Sequence, residues 1–341
     1  MVVLFFSRLF YPHIGGVEKH VLEVGKRLVN QGHRVIVVTE NYQSLPESDS
    51  IKGVQIIRIN VGSNGKLKKF RIWFRLIKYI NLLKSAKIIH CHDIFFWYLP
   101  FRIIFPFKKV YTTFHGYEAN EIPNSKSIFM HKISERFSSG NICVGDFFNK
   151  WFGTNPTLVT YGAVDRNLIR KGLACGKPTK DAMFLGRLEN ETGIMEYLKA
   201  IKNKKIKLDV FGNGSLEKKA KEYVKRNNLN VTFKGFVFNA TDYISDYKYI
   251  FTSRYLGILE AMAFKKAIFS EYNNKIKKDY LEMTPFASFI SISKDYKKIS
   301  KEINNYIQGE SNIDVKKAYE WVKNQTWEEM VIIYLKLWKI Y

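Results

Sequence analysis

The residues best suited to chemistry in this chain fall in five short stretches, each following a run of β-branched and aromatic residues. In Pro12-His13-Ile14-Gly15-Gly16-Val17-Glu18, the paired Gly15 and Gly16 let backbone N–H groups approach an anion at the positive end of a helix, or simply make a tight turn. The third glycine of a G-x-G-x-x-G dinucleotide fingerprint is missing, which argues against a dehydrogenase. In Phe114-His115-Gly116-Tyr117-Glu118, His115 can donate a hydrogen bond or shuttle a proton, or be a partly buried histidine satisfied by backbone. Leu185-Gly186-Arg187-Leu188-Glu189 offers a planar guanidinium fork, charged at any working pH, for bidentate contact with a diphosphate. Phe211-Gly212-Asn213-Gly214-Ser215 is a strand-to-helix turn whose glycines permit close packing or phosphate approach. Gly257-Ile258-Leu259-Glu260-Ala261-Met262-Ala263 opens a helix with a carboxylate that can take both hydroxyls of a ribose, although the macrodipole alone also favours glutamate there.

These stretches need strands and helices to place them. Strand patterns at residues 2–6, 34–39, 54–61, 87–90, 109–114 and 141–145 alternate with helical patterns, predicting a parallel sheet covered on both faces. A second series, at 182–185, 206–211, 230–234, 248–252, 266–270 and 287–292, predicts another. The fold class is therefore α/β with two doubly wound, Rossmann-like domains, expected to face each other across a cleft where strand ends collect the loops. The first domain is read as 1–165, a polar, turn-rich linker as 166–180 and the second domain as 181–325. A helix over 326–341 is expected to cross back and brace the first domain.

The 341 residues are 46% hydrophobic, enough for two cores and incompatible with a disordered chain. Fifty-five Lys+Arg against 31 Asp+Glu give a net charge of +24, which favours anionic partners. No nucleic-acid-binding module is recognisable, so nucleic acid is not expected. Cys91, Cys143 and Cys175 are scattered and odd in number, which fits a reducing cytoplasm better than a disulfide framework or thiolate site. His90-Cys91-His92-Asp93 has the residue types of a metal site, but side chains along an extended segment alternate between faces, and no metal is expected. The most apolar stretch, 94–107, is too short to cross a bilayer and contains Arg102. The first residues read as a strand rather than a signal peptide. Residues 66–87 carry eight basic side chains and no acidic one, with Phe70, Trp73, Phe74, Ile77 and Ile80 on one helical face flanked by Arg71, Arg75 and Lys78. Arg71, Trp73, Phe74, Arg75 and Lys78 are expected to face an anionic membrane, while a helix packed on the first sheet explains the same pattern.

Taken together, the five stretches resemble the GT-B glycosyltransferases of family 4 over nearly the whole chain, with Trp327 opening the final helix. The resemblance implies retaining transfer of a hexose from a UDP- or GDP-sugar to a glycan or lipid-linked acceptor, in cell-envelope polysaccharide or glycolipid synthesis. It implies His115, Arg187 and Glu260 as the central residues: His115 beside the transferred sugar, Arg187 on the diphosphate and Glu260 on the donor ribose. It places Gly15, Gly16, Gly186, Gly212 and Gly257 near the donor, backbone N–H groups of Ile258 and Leu259 on phosphate, and Phe236 and Val237 at the base. Two positions depart from the family pattern. Thr192 stands where the family has a lysine, and Thr252 where it has the first glutamate of a pair, after which the loop to Glu260 is about four residues shorter. Arg254 is expected to supply part of the missing charge. No D-x-D pair is present, so activity without a divalent cation or other cofactor is expected. The alternatives are a nucleotide-sugar 2-epimerase and a non-catalytic nucleotide-sugar-binding subunit. The place expected is the cytoplasm, peripheral on the inner face of the membrane.

Overall fold

A computed structural model describes residues 1–13, 15–62, 65, 67–116 and 122–340; Ile14, Lys66, Tyr117 and Glu118, named above, lie outside the described residues. The chain forms two compact units. The first takes the described residues up to 116, Pro123–Thr160 and the chain from Trp327 onward, and the second takes Tyr161–Thr326.

In the first unit, β1 (Val2–Ser7), β2 (Arg34–Glu40), β3 (Ser48–Ile51), β4 (Val54–Ile59), β5 (Ile88–His92), β6 (Val110–Phe114), β7 (Asn141–Val144) and β8 (Leu158–Thr160) form a sheet in the order β3-β4-β2-β1-β5-β6-β7-β8. Every pairing is parallel except β3 with β4. Strands covered on both faces are mostly apolar, and β5, β6 and β7 are buried at every position, including the polar His90, His92, Thr112, Thr113 and Asn141. The covering helices are α1 (Gly16–Asn30), α2 (Lys68–Ile77), α3 (Ile80–Ser85), α4 (Leu99–Ile104), α5 (Ser125–Phe137) and α6 (Phe147–Phe152). α1 buries Val21, Val24 and Leu28 at helical spacing and stops before Gly32, whose φ of +81° no helix continues through. β3 was not expected, because Ser48-Asp49-Ser50 has no apolar pattern. Lys52 and Gly53, both at positive φ, make the two-residue turn that folds it onto β4.

The second unit holds α7 (Arg166–Ala174), β9 (Lys180–Leu185), α8 (Ile194–Ala200), β10 (Leu208–Phe211), α9 (Glu217–Arg226), β11 (Val231–Gly235), β12 (Tyr247–Phe251), α10 (Tyr255–Ala263), β13 (Ala267–Glu271), α11 (Lys275–Glu282), β14 (Ser291–Ser293), α12 (Tyr296–Gln308) and α13 (Val315–Val322). Its sheet is wholly parallel in the order β11-β10-β9-β12-β13-β14. Residues 287–289, expected as part of a strand, form a 3-10 turn, and only Ser291–Ser293 pairs. The segment expected as a linker is mostly α7, whose N-terminus is capped by the Asp165 carboxylate accepting from the Asn167 N–H. The last helix, α14 (Trp327–Trp338), packs on α1 in the first unit.

Both sheets reverse winding direction once, between β1 and β5 in the first and between β9 and β12 in the second. Loops leaving the carboxyl ends of such strands splay apart, which opens a crevice for ligand at each switch point.

Gly172 is where α7 meets α10: a Cβ there would stand 1.8 Å from the Ala263 carbonyl oxygen. Gly172→Ala must push two helices apart and is expected to cost at least about 1–3 kcal/mol. A urea midpoint unchanged from the parent would show that α7 does not belong to the packed unit.

Candidate functional site

At the switch point of the second unit, β9 leads into Gly186-Arg187 and β12 into Thr252-Ser253-Arg254. The Arg187 side chain is 70% exposed and donates from Nη2 to Glu191 Oε1 at 2.8 Å. Arg254 Nη2 lies 3.6 Å from the same oxygen. Two guanidiniums thus converge on one carboxylate. Glu191 is a residue the sequence reading missed, although its position four residues after Arg187 is the spacing of a helical ion pair.

The loop carrying Arg187 is held from behind. Thr192, in the lysine position of the family, is buried and does not reach outward; its hydroxyl lies 2.5 Å from the Arg187 carbonyl and 2.8 Å from that of Glu189. Glu189 accepts from the Ser215 N–H at 2.8 Å and from its hydroxyl, joining this loop to the one after β10. Those two bonds hold the Glu189 carboxyl below its ordinary range. Gly212, at φ +140°, comes so close to Gly186 that a Cβ would stand 1.9 Å from the Gly186 oxygen, and a Cβ on Gly214 would meet the Leu188 oxygen at 2.5 Å. Beneath, Glu271 and Lys277 form a fully buried ion pair at 2.8 Å. Burial pushes the Lys277 ammonium down to about 8 despite its partner.

α10 starts at Arg254, its N-cap residue. The Tyr255 N–H donates to Tyr280 Oη at 2.9 Å. The Ile258 N–H, expected to be open to phosphate, is taken by the Arg254 carbonyl at 3.0 Å, and Leu259 lies one position deeper. The first-turn N–H groups left without a protein acceptor among the described residues are those of Leu256 and Gly257. Gly257 packs its backbone against Thr252, whose Oγ1 a Cβ would meet at 2.5 Å; Thr252 is buried by that contact. Glu260, in the second turn, is buried. Phe236 is 54% exposed after β11, with Val237 half-buried beside it.

In the first unit, Gly15 is the N-cap of α1 and Gly16 its first residue. The Glu18 carboxylate folds over Gly15, where a Cβ would meet Oε2 at 2.4 Å, so a negative group already stands at this helix start. His115 follows β6, with its N–H donated to Asp93 Oδ1 at 2.8 Å. His90 and His92 share one face of β5 and join a buried histidine cluster. His92 Nδ1 lies 2.8 Å from His115 Nε2, and the His20 ring meets that of His115 edge-on with centroids 4.6 Å apart. Trp338 of α14 donates from Nε1 to His90 Nδ1 at 3.0 Å, which leaves the proton of a neutral His90 on Nε2, 2.7 Å from Thr113 Oγ1. Thr113 continues to Tyr334 Oη at 3.0 Å, and Tyr334 to His20 Nε2 at 2.8 Å. This chain was invisible to periodicity because its hydrogen-bonded neighbours lie up to 314 residues apart. Among the described residues, no group of three His, Cys, Asp or Glu side chains is placed to hold a metal ion.

The basic segment is two helices, α2 and α3, rather than one. α2 turns Ile72 and Leu76 into the core. Trp73, expected at a membrane, packs against that core and donates its indole N–H to the Phe96 carbonyl at 2.8 Å. Arg71 likewise turns back, its Nε donating to the Val61 carbonyl at 2.7 Å. Phe70, Phe74 and Ile77 are exposed at helical spacing, with Arg75 and Lys78 beside them. Ile103, Ile104 and Phe107, from the apolar stretch read only as too short to span a bilayer, are also exposed. No helix among the described residues is long and apolar enough to cross a membrane.

Two doubly wound, Rossmann-like units are the architecture of the GT-B class of glycosyltransferase. Residues 14–154 match the model of Glycosyltransferase Family 4, and residues 165–326 that of Glycosyl transferases group 1. The chain belongs to glycosyltransferase family 4. An uncharacterized glycosyltransferase of Methanocaldococcus jannaschii is 27% identical over 239 residues, 65% of this chain and 63% of that protein. The chain thus spans somewhat under two thirds of that relative's length. Sucrose-phosphate synthase of Thermosynechococcus elongatus superposes with a TM-score of 0.76 at 16% identity, covering 99% of this chain and 98% of that one. Anabaena HepE, solved in complex with UDP and glucose, superposes at 0.75 with 13% identity, covering 98% of each.

All seven histidines lie in the first unit. Desolvation lowers His20 to about 3 and pushes His90, His92 and His115 well below their ordinary range. Between pH 6.5 and about 3 the unfolded first unit binds protons that the folded one refuses, so stability complete above pH 6.5 is lost as pH falls. Each histidine contributes up to about 1.4 kcal/mol per pH unit. Five of the six tryptophans belong to the same unit. The urea midpoint read by their fluorescence is therefore expected to fall steeply from pH 7 to 5, and a flat midpoint would contradict the neutral cluster.

Proposed function

We propose that this chain is a retaining, metal-independent hexosyltransferase that uses a UDP- or GDP-sugar and acts on a glycan or lipid-linked acceptor in cell-envelope polysaccharide or glycolipid synthesis. The observation that carries this reading is the convergence of Arg187 and Arg254 on Glu191 Oε1, beside the open N–H groups at the start of α10. A pyrophosphate can replace the carboxylate there and take both guanidiniums and the helix start. The slow event in such transfer is loss of a nucleoside diphosphate from a sugar that becomes oxocarbenium-like. Cations that hold the departing oxygen therefore act where charge develops, in the manner of a bound metal. Glu260 is assigned to the ribose hydroxyls, Phe236 and Val237 to the base, and His115 to the transferred sugar. The complex of HepE with UDP and glucose supports the donor class.

A second reading, a subunit that binds nucleotide-sugar without transferring it, draws on Thr192 and Thr252, both buried where the family has outward-reaching groups. Donor binding without transfer to any acceptor pool would favour it.

Calorimetric titration with UDP, GDP and their sugars tests the donor site. Arg187→Ala is expected to weaken the preferred nucleotide by about 10- to 100-fold, with Arg254→Ala changing it in the same direction. Undiminished affinity and turnover in both variants would remove the assignment. Turnover is expected to persist in excess chelator, and its loss would end the claim of metal independence.

The exposed Phe70, Phe74 and Ile77, with Arg75 and Lys78 at their rim, suit shallow insertion into an anionic leaflet, each cation adding on the order of 1 kcal/mol. Flotation with liposomes is expected to require anionic lipid and to weaken with salt and in Phe74→Ser. Indifference to lipid charge and to salt would dispose of membrane contact.

A further inference from the structure

The histidine cluster carries an assignment for the hydrogen on His115. His92 is fully buried on β5, and its Nδ1 meets His115 Nε2 at 2.8 Å. The ring centroids lie 5.1 Å apart with planes 30° from each other, as in an in-plane N–H···N bond. One hydrogen occupies that contact. If His115 supplied it, a neutral His92 would keep its own hydrogen on Nε2, which is buried and has no partner among the described residues. A buried N–H without an acceptor is rarer and more costly than an acceptor nitrogen without a donor. If His92 supplies it, the nitrogen left at Nε2 is bare.

We propose that His92 is a positioning residue that donates from Nδ1 to His115 Nε2, so that His115 presents an N–H at Nδ1 as a hydrogen-bond donor to an oxygen of its ligand. The rest of the ring's surroundings are consistent with one orientation. The backbone of His115 is tied to Asp93 Oδ1, and Asp93 is itself held at φ +62° with its N–H on the Thr113 carbonyl at 3.0 Å. His20 bounds the ring edge-on and is fixed in turn by Tyr334. Burial keeps both His92 and His115 neutral, which makes a single shared hydrogen the correct count. A donor at Nδ1 suits a sugar hydroxyl or ring oxygen used as acceptor. That part of the inference rests on the glycosyltransferase reading given above.

Long-range proton–nitrogen correlation spectra of histidine-labelled protein at pH 7.5 read the tautomers directly, without substrate. His115 is expected with a protonated Nδ1 and a bare Nε2, and a protonated Nε2 on His115 would overturn the proposal whatever the enzyme transfers. Variants give the functional arm. His92→Asn keeps an amide N–H near the Nδ1 position and is expected to retain most of the transfer rate. His92→Asp offers only acceptors and is expected to reverse the His115 tautomer and lower kcat by about 100-fold with little change in donor KM. Equal losses in His92→Asn and His92→Asp, with the His115 resonances unmoved, would reduce His92 to packing. Absence of transfer by the parent protein would count against the proposed function alone, because the tautomer spectra still decide the role of His92.

Discussion

Two like charges held a few ångströms apart are the constraint around which the second unit is arranged. Arg187 and Arg254 repel each other, and Glu191 between them offsets part of that repulsion, while Arg254 also has a side-chain hydrogen bond with Tyr280. Arg187 is mostly in water, so the repulsion is screened and the carboxylate hold is correspondingly loose. A ligand with two negative charges neutralises the pair better than one carboxylate can. The topology supplies the place: β9 and β12 are the only neighbours in this sheet from which successive connections depart in opposite directions, so their following loops are not covered by a crossover helix.

What keeps that arrangement from drifting is backbone contact rather than side-chain packing. Gly212 against Gly186 and Gly214 against Leu188 bring the loops after β9 and β10 closer than any residue with a Cβ allows. The Thr192 hydroxyl closes the Arg187 loop on itself, and Glu189 ties it to Ser215. Thr192 therefore answers a structural need at a position where the family spends a charge. A loop already fixed has little further freedom to lose when a ligand binds.

Most of the architecture was legible because strands covered on both faces are predominantly β-branched and aromatic, and several turns between them use glycine. Elements without those signals were not. β3 is polar and pairs only through a positive-φ turn, and the segment holding α7 reads as a linker because Gly172 within the helix and Gly176 and Pro178 just after it are turn residues, although Gly172 is there to let two helices touch. Within their separate units, Arg187 and His115 stood out by type and by position directly after a strand, and Glu260 by its place early in the helix that follows one. Glu191 did not, because its meaning depends on Arg254, 63 residues further on and on a different strand end. The partners of His115 were hidden for a similar reason: His90 and His92 gave no sign of a shared polar chain until α14 brings Tyr334 and Trp338 beside them. Trp73 shows the reverse, an aromatic whose helical spacing matched an exposed stripe while its indole N–H found a carbonyl inside.

α14 has a consequence for the order in which the protein matures on the ribosome. Tyr334 and Trp338 complete the polar chain through His20, Thr113 and His90, so the first unit lacks its finishing contacts until residue 338 has left the exit tunnel. The second unit, made in between, has all of its own strands available earlier. The unit whose strands are translated first is thus the one whose polar chain is completed last, by the two aromatic residues of its C-terminal helix.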